Sequence, residues 1–436
     1  MDEKVNTEMY YFSDDDGFIY MHFPIRGYAL KTKAENESLV SKLAQGHTLS
    51  EQEHDHPLIT VLREKLLIGE ELKSLPVMQD LTEFRPIEAT LLLTESCNLA
   101  CSYCYAKATT HKFSPMPHDV LKGAIDLVIE NAKTHKYRTA EFRFLGGGEP
   151  TLEWELIVWA TNYIRFRADE VGVNHWIRLI TNGVLIDDEK ACWIAKNIHY
   201  VTLSCDILPE LQVNRAFPNG KNSHKAVMRA ANLLSKHGIP CHFRTTISFE
   251  ASGRLEEMVE YTHQYTGVKT IRFEPMAEIG RASDQDMSKP VQQAFVDAFI
   301  SAYELGKRYG IFVTCKMMTN ILRRSTRFCN VEFAITSEGN VAGCHRYSRE
   351  NISGFDFYHV GAWNGQQFNF DMEKINTLRR IDTRAFPQCQ NCFARWSCAS
   401  GCLSARIKDG DINETGPLCH LTRELLKFSI KEALRA

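Results

Sequence analysis

The sequence predicts an α/β protein: a partial (β/α)6 barrel, preceded by a small α+β region and followed by a cysteine-rich one. Three observations carry this. Between Pro86 and about Gly310, apolar runs of strand length alternate with amphipathic helical patterns, and repeated β-then-α order implies a parallel sheet with helices outside it. About six such units are present, too few for a closed eight-fold barrel. The 14 cysteines are also unevenly placed, three between residues 97 and 104 and seven after residue 328.

The expected strands are Ala89–Thr94, Glu141–Leu145, Ile177–Thr181, Tyr200–Ser204, Cys241–Ser248 and Thr270–Glu274, with helices at Val120–Lys133, Ala226–His237 and Leu255–Tyr265 among those between them. Ligands of such folds bind at the C-terminal ends of the strands. Before the barrel, in residues 1–85, apolar and polar residues alternate around Phe18-Ile19-Tyr20-Met21-His22-Phe23. A helical pattern follows at Leu39, Val40 and Leu43. A second helix is expected from Asp55, with Pro57 in its first turn and Leu58, Val61, Leu62 and Leu66 on one face. Strands followed by short helices resemble the winged-helix-like, PqqD-type module that recognises precursor peptides. A plain extension capping the barrel is the alternative. Residues 86–310 form the expected barrel and 311–436 the cysteine-rich domain, since small domains of that kind substitute metal ligation for a core.

A chain of 436 residues exceeds one ordinary core. The net charge of −3, with cations spread along the chain, gives no reason to expect nucleic acid. No apolar run is long enough to cross a bilayer, so no membrane is expected. Met1-Asp2-Glu3-Lys4, leading into Ser13-Asp14-Asp15-Asp16, is the wrong chemistry for a signal peptide. The expected location is the cytoplasm, where clustered cysteines are metal or catalytic ligands rather than disulfides. Cys192, Cys205, Cys241 and Cys315 are scattered, as small buried hydrophobes usually are.

The first strand runs into Glu95-Ser96-Cys97-Asn98-Leu99-Ala100-Cys101-Ser102-Tyr103-Cys104-Tyr105. Three thiolates on one loop can hold three irons of a [4Fe–4S] cube and leave the fourth open. An open metal position binds a small molecule, here through an amine and a carboxylate such as S-adenosylmethionine (SAM) carries. An electron from the cluster can then cleave the sulfonium and leave a 5′-deoxyadenosyl radical. A zinc knuckle is the alternative, but zinc prefers four closed ligands and this loop has no histidine. The Cys-x3-Cys-x2-Cys spacing, with Tyr103 before the last cysteine, resembles the radical SAM superfamily.

Later strand ends extend the resemblance. Leu145-Gly146-Gly147-Gly148-Glu149-Pro150 is similar to the superfamily's Gly-Gly-Glu-Pro motif, which implies that Gly147, Gly148 and Glu149 receive SAM's amino group. Thr181-Asn182-Gly183 ends the third strand and is also familiar from this family. Ser204 ends the fourth and is a candidate for the ribose. Arg215 lies in a segment similar to the one whose arginine grips SAM's carboxylate, as a bidentate fork suits. A helix cap for Ser204 and a surface ion pair for Arg215 are the structural alternatives. Relatives often read Ser-x-Asp-Gly where this chain has Ser204-Cys205-Asp206-Ile207.

In the C-terminal region, Glu338-Gly339-Asn340 is a turn signal whose hairpin can bring Cys329 and Cys344 together. Cys389-x2-Cys392-x5-Cys398-x3-Cys402 and Cys419 follow. The spacings resemble the SPASM domain, which implies two auxiliary [4Fe–4S] clusters with interleaved ligands. Cys329, Cys344 and Cys402 would serve the first, with Cys315 a candidate fourth ligand, and Cys389, Cys392, Cys398 and Cys419 the second. A pair of zinc sites is the alternative. Taken whole, the resemblance implies three clusters, SAM, a reductant such as flavodoxin or ferredoxin, and a peptide or protein substrate.

Two reactions compete. Sulfatase maturases make formylglycine and typically follow the second SPASM cysteine with an aspartate that accepts a proton. Here Cys344 is followed by His345, a candidate base because its ordinary pKa lies near working pH. That departure and the long N-terminal region favour maturases that oxidise and cross-link side chains of a ribosomally made precursor peptide. A non-enzymatic zinc-binding interaction protein is the alternative of a different class.

Overall fold

In the computed structural model the described residues are 8–68, 75, 77–276, 280–282, 289–319, 324–408, 411–412, 416 and 418–435; Met1–Lys4 therefore lie outside them. Strands β1 (Tyr10–Ser13), β2 (Phe18–Phe23) and β3 (Tyr28–Lys33) form an antiparallel meander, followed by helices α1 (Glu37–Ala44), α2 (Glu51–His54) and α3 (Pro57–Glu64). Ile19, Met21 and Phe23 project from one face of β2 into a core with Leu39, Val40, Leu43, Leu58, Ile59 and Leu62. Helix α3 starts two residues later than expected: His56, whose ring nitrogen accepts the Leu58 N–H at 3.1 Å, is its cap, and Pro57 takes the first helical position. Its buried face is Leu58, Ile59 and Leu62, while Val61 and Leu66 are exposed.

The barrel strands are β4 (Glu88–Leu91), β5 (Thr139–Phe144), β6 (Asn174–Thr181), β7 (Tyr200–Ser204), β8 (Cys241–Ile247) and β9 (Thr270–Pro275). Helices α4 (His118–Thr134), α5 (Trp154–Val171), α6 (Asp188–Asn197), α7 (His224–Lys236) and α8 (Leu255–Tyr265) alternate with them. All adjacent pairs from β4 to β9 are parallel. The expected ranges agree to within a few residues because apolar strand runs and helical periodicity are local signals.

The sheet continues past residue 310. Helix α9 (Lys289–Tyr309) leads into β10 (Phe312–Thr314), which lies parallel to β9. On the opposite edge, β11 (Ala334–Ile335) pairs in parallel with β4, and β12 (Asn340–Ala342), β13 (His359–Trp363) and β14 (Phe368–Phe370) extend it antiparallel. The C-terminal region thus shares the barrel's sheet and both its cores: Phe333, Ile335 and Ile375 join one cluster with Leu91 and Phe142, and Leu421 and Leu425 of the Cys419–Ala433 helix join the other with Phe243 and Phe299.

The meander also has a second buried face. Tyr20 packs with Ala394, Leu426 and Ile430. Glu8 receives the Trp396 indole N–H at 2.6 Å and pairs with Arg395 at 3.1 Å. The N-terminal region therefore rests on the cysteine-rich region. Among the described residues no helix is long and apolar enough to cross a membrane.

Candidate active site

The loop carrying Cys97, Cys101 and Cys104 joins β4 to α4 and is tied to three other strand ends by main-chain hydrogen bonds. After β5, Gly148 N–H donates to Thr94 O (3.0 Å) and Glu149 N–H to Ser96 O (2.8 Å). After β7, Ala216 O accepts Ala100 N–H (2.8 Å) and Asn214 O accepts Ser102 N–H (2.9 Å). After β9, Arg281 N–H donates to Cys104 O (3.1 Å) and its guanidinium to Ala108 O (3.1 Å). Each tie lies at a C-terminal strand end, where such folds place their ligands.

The glycine run is required by this approach. A Cβ on Gly148 would overlap the Ser96 carbonyl, and one on Gly147 would lie 3.0 Å from Glu95 Oε1. Glu149 is buried and engaged within the chain: its carboxylate accepts Thr151 N–H (3.1 Å), the hydroxyls of Thr151 and Thr181 (both 2.6 Å) and Asn182 N–H (2.8 Å). Burial raises its pKa against these bonds. Glu149 thus ties the end of β5 to the end of β6. Asn182 reaches the cysteine loop directly, its amide donating to Asn98 Oδ1 at 2.8 Å.

Arg215 is buried. Its Nε donates to Asp206 Oδ1 at 3.0 Å, and its guanidinium lies 5.1 Å from the centroid of the Tyr103 ring, whose hydroxyl donates to Asp206 Oδ2. The ion-pair alternative for Arg215 is present, in the interior rather than at the surface. The Nε contact leaves the other edge of the guanidinium fork for a further acceptor. Ser204, half-buried, ends β7 opposite Arg244. Ile207 occupies the position where relatives carry glycine and keeps a left-handed φ of 63°, unusual for a β-branched residue. Its fully buried side chain and the His224 contact to its carbonyl (2.9 Å) hold it there.

None of the fourteen cysteines is in a disulfide. Those after residue 328 fall into two groups by the charges acting on them. Cys402 acts on both Cys329 and Cys344, and burial raises Cys329 to about 11. Cys402 itself is lowered: burial opposes this, but Arg346, the Ser404 hydroxyl and Lys316 favour the thiolate. Cys389, Cys392, Cys398 and Cys419 line one cavity with Arg406. Cys315 is not drawn to the trio. It is fully buried in the barrel core, raised to about 12 by burial, and the strongest charges acting on it are Glu274 and Arg272. As an apolar-packed thiol it fits the fate of a scattered cysteine better than that of a ligand.

The turn at Glu338-Gly339-Asn340 forms the expected hairpin, with Gly339 at φ 85° and Glu332 N–H on Gly343 O (2.9 Å). That register sets Glu332 against His345: one carboxylate oxygen accepts the His345 N–H at 2.7 Å and faces Nδ1 at 2.8 Å. Burial opposes ionisation of Glu332, yet the adjoining His345 and its two hydrogen bonds hold the Glu332 pKa down at about 2. The Tyr105 ring meets His345 edge-on at 5.8 Å, linking the first cysteine loop to the C-terminal region. Arg349 reaches the same loop, its guanidinium donating to Glu95 O at 2.9 Å and pairing with the Glu95 carboxylate.

Asp206, Arg281, Glu332, Arg346 and Arg406 escape sequence reasoning. Asp206 and Glu332 had signals, in the Ser-x-Asp segment and in the hairpin's symmetry about Gly339; the three arginines lie in no motif.

These residues fit an iron–sulfur cluster and a small ligand. The Asn98 side-chain N–H, between the first two cysteines, is buried without a partner, and cations face each thiol group. Among the described residues no three His, Cys, Asp or Glu side chains converge closely enough for a single metal ion; a cube spreads its cysteines over separate irons.

Parallel sheet, cysteine loop and glycine-rich strand end together define a radical SAM domain, and residues 91–262 match the Radical SAM superfamily model. The superfamily uses SAM and a [4Fe–4S] cluster. Among similar proteins, the cysteine-type anaerobic sulfatase-maturating enzyme of Clostridium perfringens is 22% identical over 77% of this chain and 94% of its own. The mycofactocin maturase of Mycolicibacterium smegmatis is 29% identical over 46% of this chain and 47% of its own. Among solved structures, anSMEcpe with bound AdoMet superposes with a TM-score of 0.65 at 20% identity, covering 79% of this chain and 98% of that one. Streptococcus suis SuiB bound to precursor peptide SuiA does so with 0.50 at 12%, covering 92% and 95%. The chain thus carries a radical SAM domain, and the proteins similar to it include a sulfatase-maturating enzyme and a mycofactocin maturase.

Proposed function

We propose that this chain is a radical SAM/SPASM maturase that oxidatively modifies, and cross-links, side chains of a ribosomally made peptide, using three [4Fe–4S] clusters. The observation that carries this is the grouping of ten cysteines into a loop trio, a second trio with its own cations and a quartet around one cavity. When bound, the cofactors supply the radical chemistry and an electron sink.

The chain's own residues bind and orient. Gly147 and Gly148 admit a ligand's close approach, and Arg215 offers its remaining donors to a carboxylate. Glu149 supports the amine site through Asn182 and Thr181. His345, oriented by Glu332 through Nδ1, keeps Nε2 for a substrate proton, as a carboxylate-held histidine base does. Tyr105 against His345 and Arg349 against Glu95 fasten the first loop to the C-terminal region.

The N-terminal region supports the peptide reading, because its meander and three helices have the element order of a precursor-recognition module. The sulfatase-maturase reading is favoured by the near-full-length alignment to the clostridial enzyme. Anaerobic reconstitution tests the cluster assignment: a brown protein with about twelve irons and acid-labile sulfide is expected, and a colourless zinc protein would end the proposal. Incubation with a short precursor peptide and with a cysteine-containing sulfatase peptide then separates the reactions by product mass, since cross-linking removes two hydrogens and formylglycine formation also replaces sulfur with oxygen.

A further inference from the structure

We propose that Arg406 sets the reduction potential of the cluster held by Cys389, Cys392, Cys398 and Cys419. The inference rests on the reading above that these four thiolates hold a cluster. Arg406 is buried, and its Nη2 lies 3.5 Å from Cys419 Sγ and 3.9 Å from Cys389 Sγ, within reach of N–H···S hydrogen bonds. Its guanidinium stands over the ring of fully buried Phe386, 4.5 Å from the centroid, which fixes the plane of the fork. Space for it is reserved by Gly416: a Cβ there would overlap the guanidinium and lie 2.7 Å from Cys419 Sγ.

The electrostatics point the same way. Arg406 brings a positive charge within direct reach of two of the four sulfurs. Hydrogen bonds to cluster sulfurs and nearby positive charge favour the reduced, more negative cluster, so they raise its potential. Arg406 is itself buried, so the effect is weakly screened. Arg346 and Lys316 act instead on the Cys329, Cys344 and Cys402 trio. Loss of Arg406 is therefore felt by one cluster.

The test is a redox titration of the cluster-loaded full chain, followed by electron paramagnetic resonance, in Arg406→Gln and Arg406→Lys. Both variants should keep the wild-type iron content. In Arg406→Gln the potential of one cluster should fall until its reduced-to-oxidised ratio, at the wild-type midpoint, is down about tenfold, or about 59 mV for one electron. Arg406→Lys, which keeps the charge but not the forked reach, should fall by less. Unchanged potentials with full iron in both variants would overturn the proposal. So would an Arg406→Gln that loses a cluster beside an Arg406→Lys at the wild-type potential, because Arg406 would then be a folding residue. The underlying reading is checked separately: a chain with all four cysteines replaced by Ala should lose about four irons, and if it loses none the quartet holds no cluster.

Discussion

Arg215 and Asp206 form a buried ion pair over the Tyr103 ring, 3.0 Å between Nε and Oδ1. Its cost and benefit are separable. Removing the cation alone leaves a desolvated carboxylate, which costs about 3–5 kcal/mol, whereas removing both partners costs much less. Arg215→Ala should therefore be destabilised by about that amount and Arg215→Ala with Asp206→Ala by less than the sum of the two single effects, a coupling read from denaturant unfolding of the four proteins. Additive effects would show that the pair carries no interaction and that Arg215 acts only on a ligand.

At the scale of elements, β2 is unusual because both its faces are covered. One faces the helices of its own region and the other the cysteine-rich region, so His22, 5.4 Å from the Phe393 ring, is buried. Burial lowers its pKa from 6.5 to about 4. Between these values the unfolded chain binds a proton that the folded one refuses, so the contribution of His22 to stability is intact above about pH 6.5 and falls as the pH drops toward 4. The full shift corresponds to roughly 3 kcal/mol. Limited proteolysis of the N-terminal region between pH 4.5 and 8 should show opening at acid pH that His22→Leu suppresses. Identical acid profiles for the two proteins would refute a role for His22.

For the molecule as a whole, the N-terminal region is a support of the cysteine quartet as well as a candidate peptide-binding module. Ala394, Leu426 and Ile430 would be exposed by its removal, and Arg395 and Trp396 would lose Glu8. Residues 79–81 belong to the rest of the chain, since Leu81 exchanges two hydrogen bonds with the Asn376 side chain (2.8 and 3.0 Å) and Asp80 pairs with Arg380. Deleting residues 1–76 should therefore leave the first cysteine loop and substrate-free SAM cleavage working while lowering iron at the quartet, and peptide turnover should fall. Iron content and 5′-deoxyadenosine formation measure the two halves. A truncated chain with full iron and normal peptide turnover would assign the region neither role.

Much of this was legible in the sequence because it is local. A strand needs a short apolar run, a helix a 3.6-residue period, and a cluster loop three cysteines at fixed spacing, so β4 to β9, the Cys97–Cys101–Cys104 loop and the Gly339 hairpin follow from neighbours along the chain. The α/β class and the uneven placement of the cysteines were determined at that level. What only the tertiary structure decided are pairings between distant residues. Helix α3 begins at Pro57, capped by His56, rather than at Asp55 because a ring nitrogen reaches the Leu58 N–H. Val61 and Leu66 are exposed because the region's core lies on the side of Ile59. Glu149 is spent on Thr151, Thr181 and Asn182, and Cys315 on the barrel core, because burial demands partners that no spacing rule names. Ile207 keeps a glycine's backbone angle because its own side chain is locked into the core. Arg406, 17 residues from Cys389 and 13 from Cys419, has no motif, since a charge acts through space and leaves no period in the sequence.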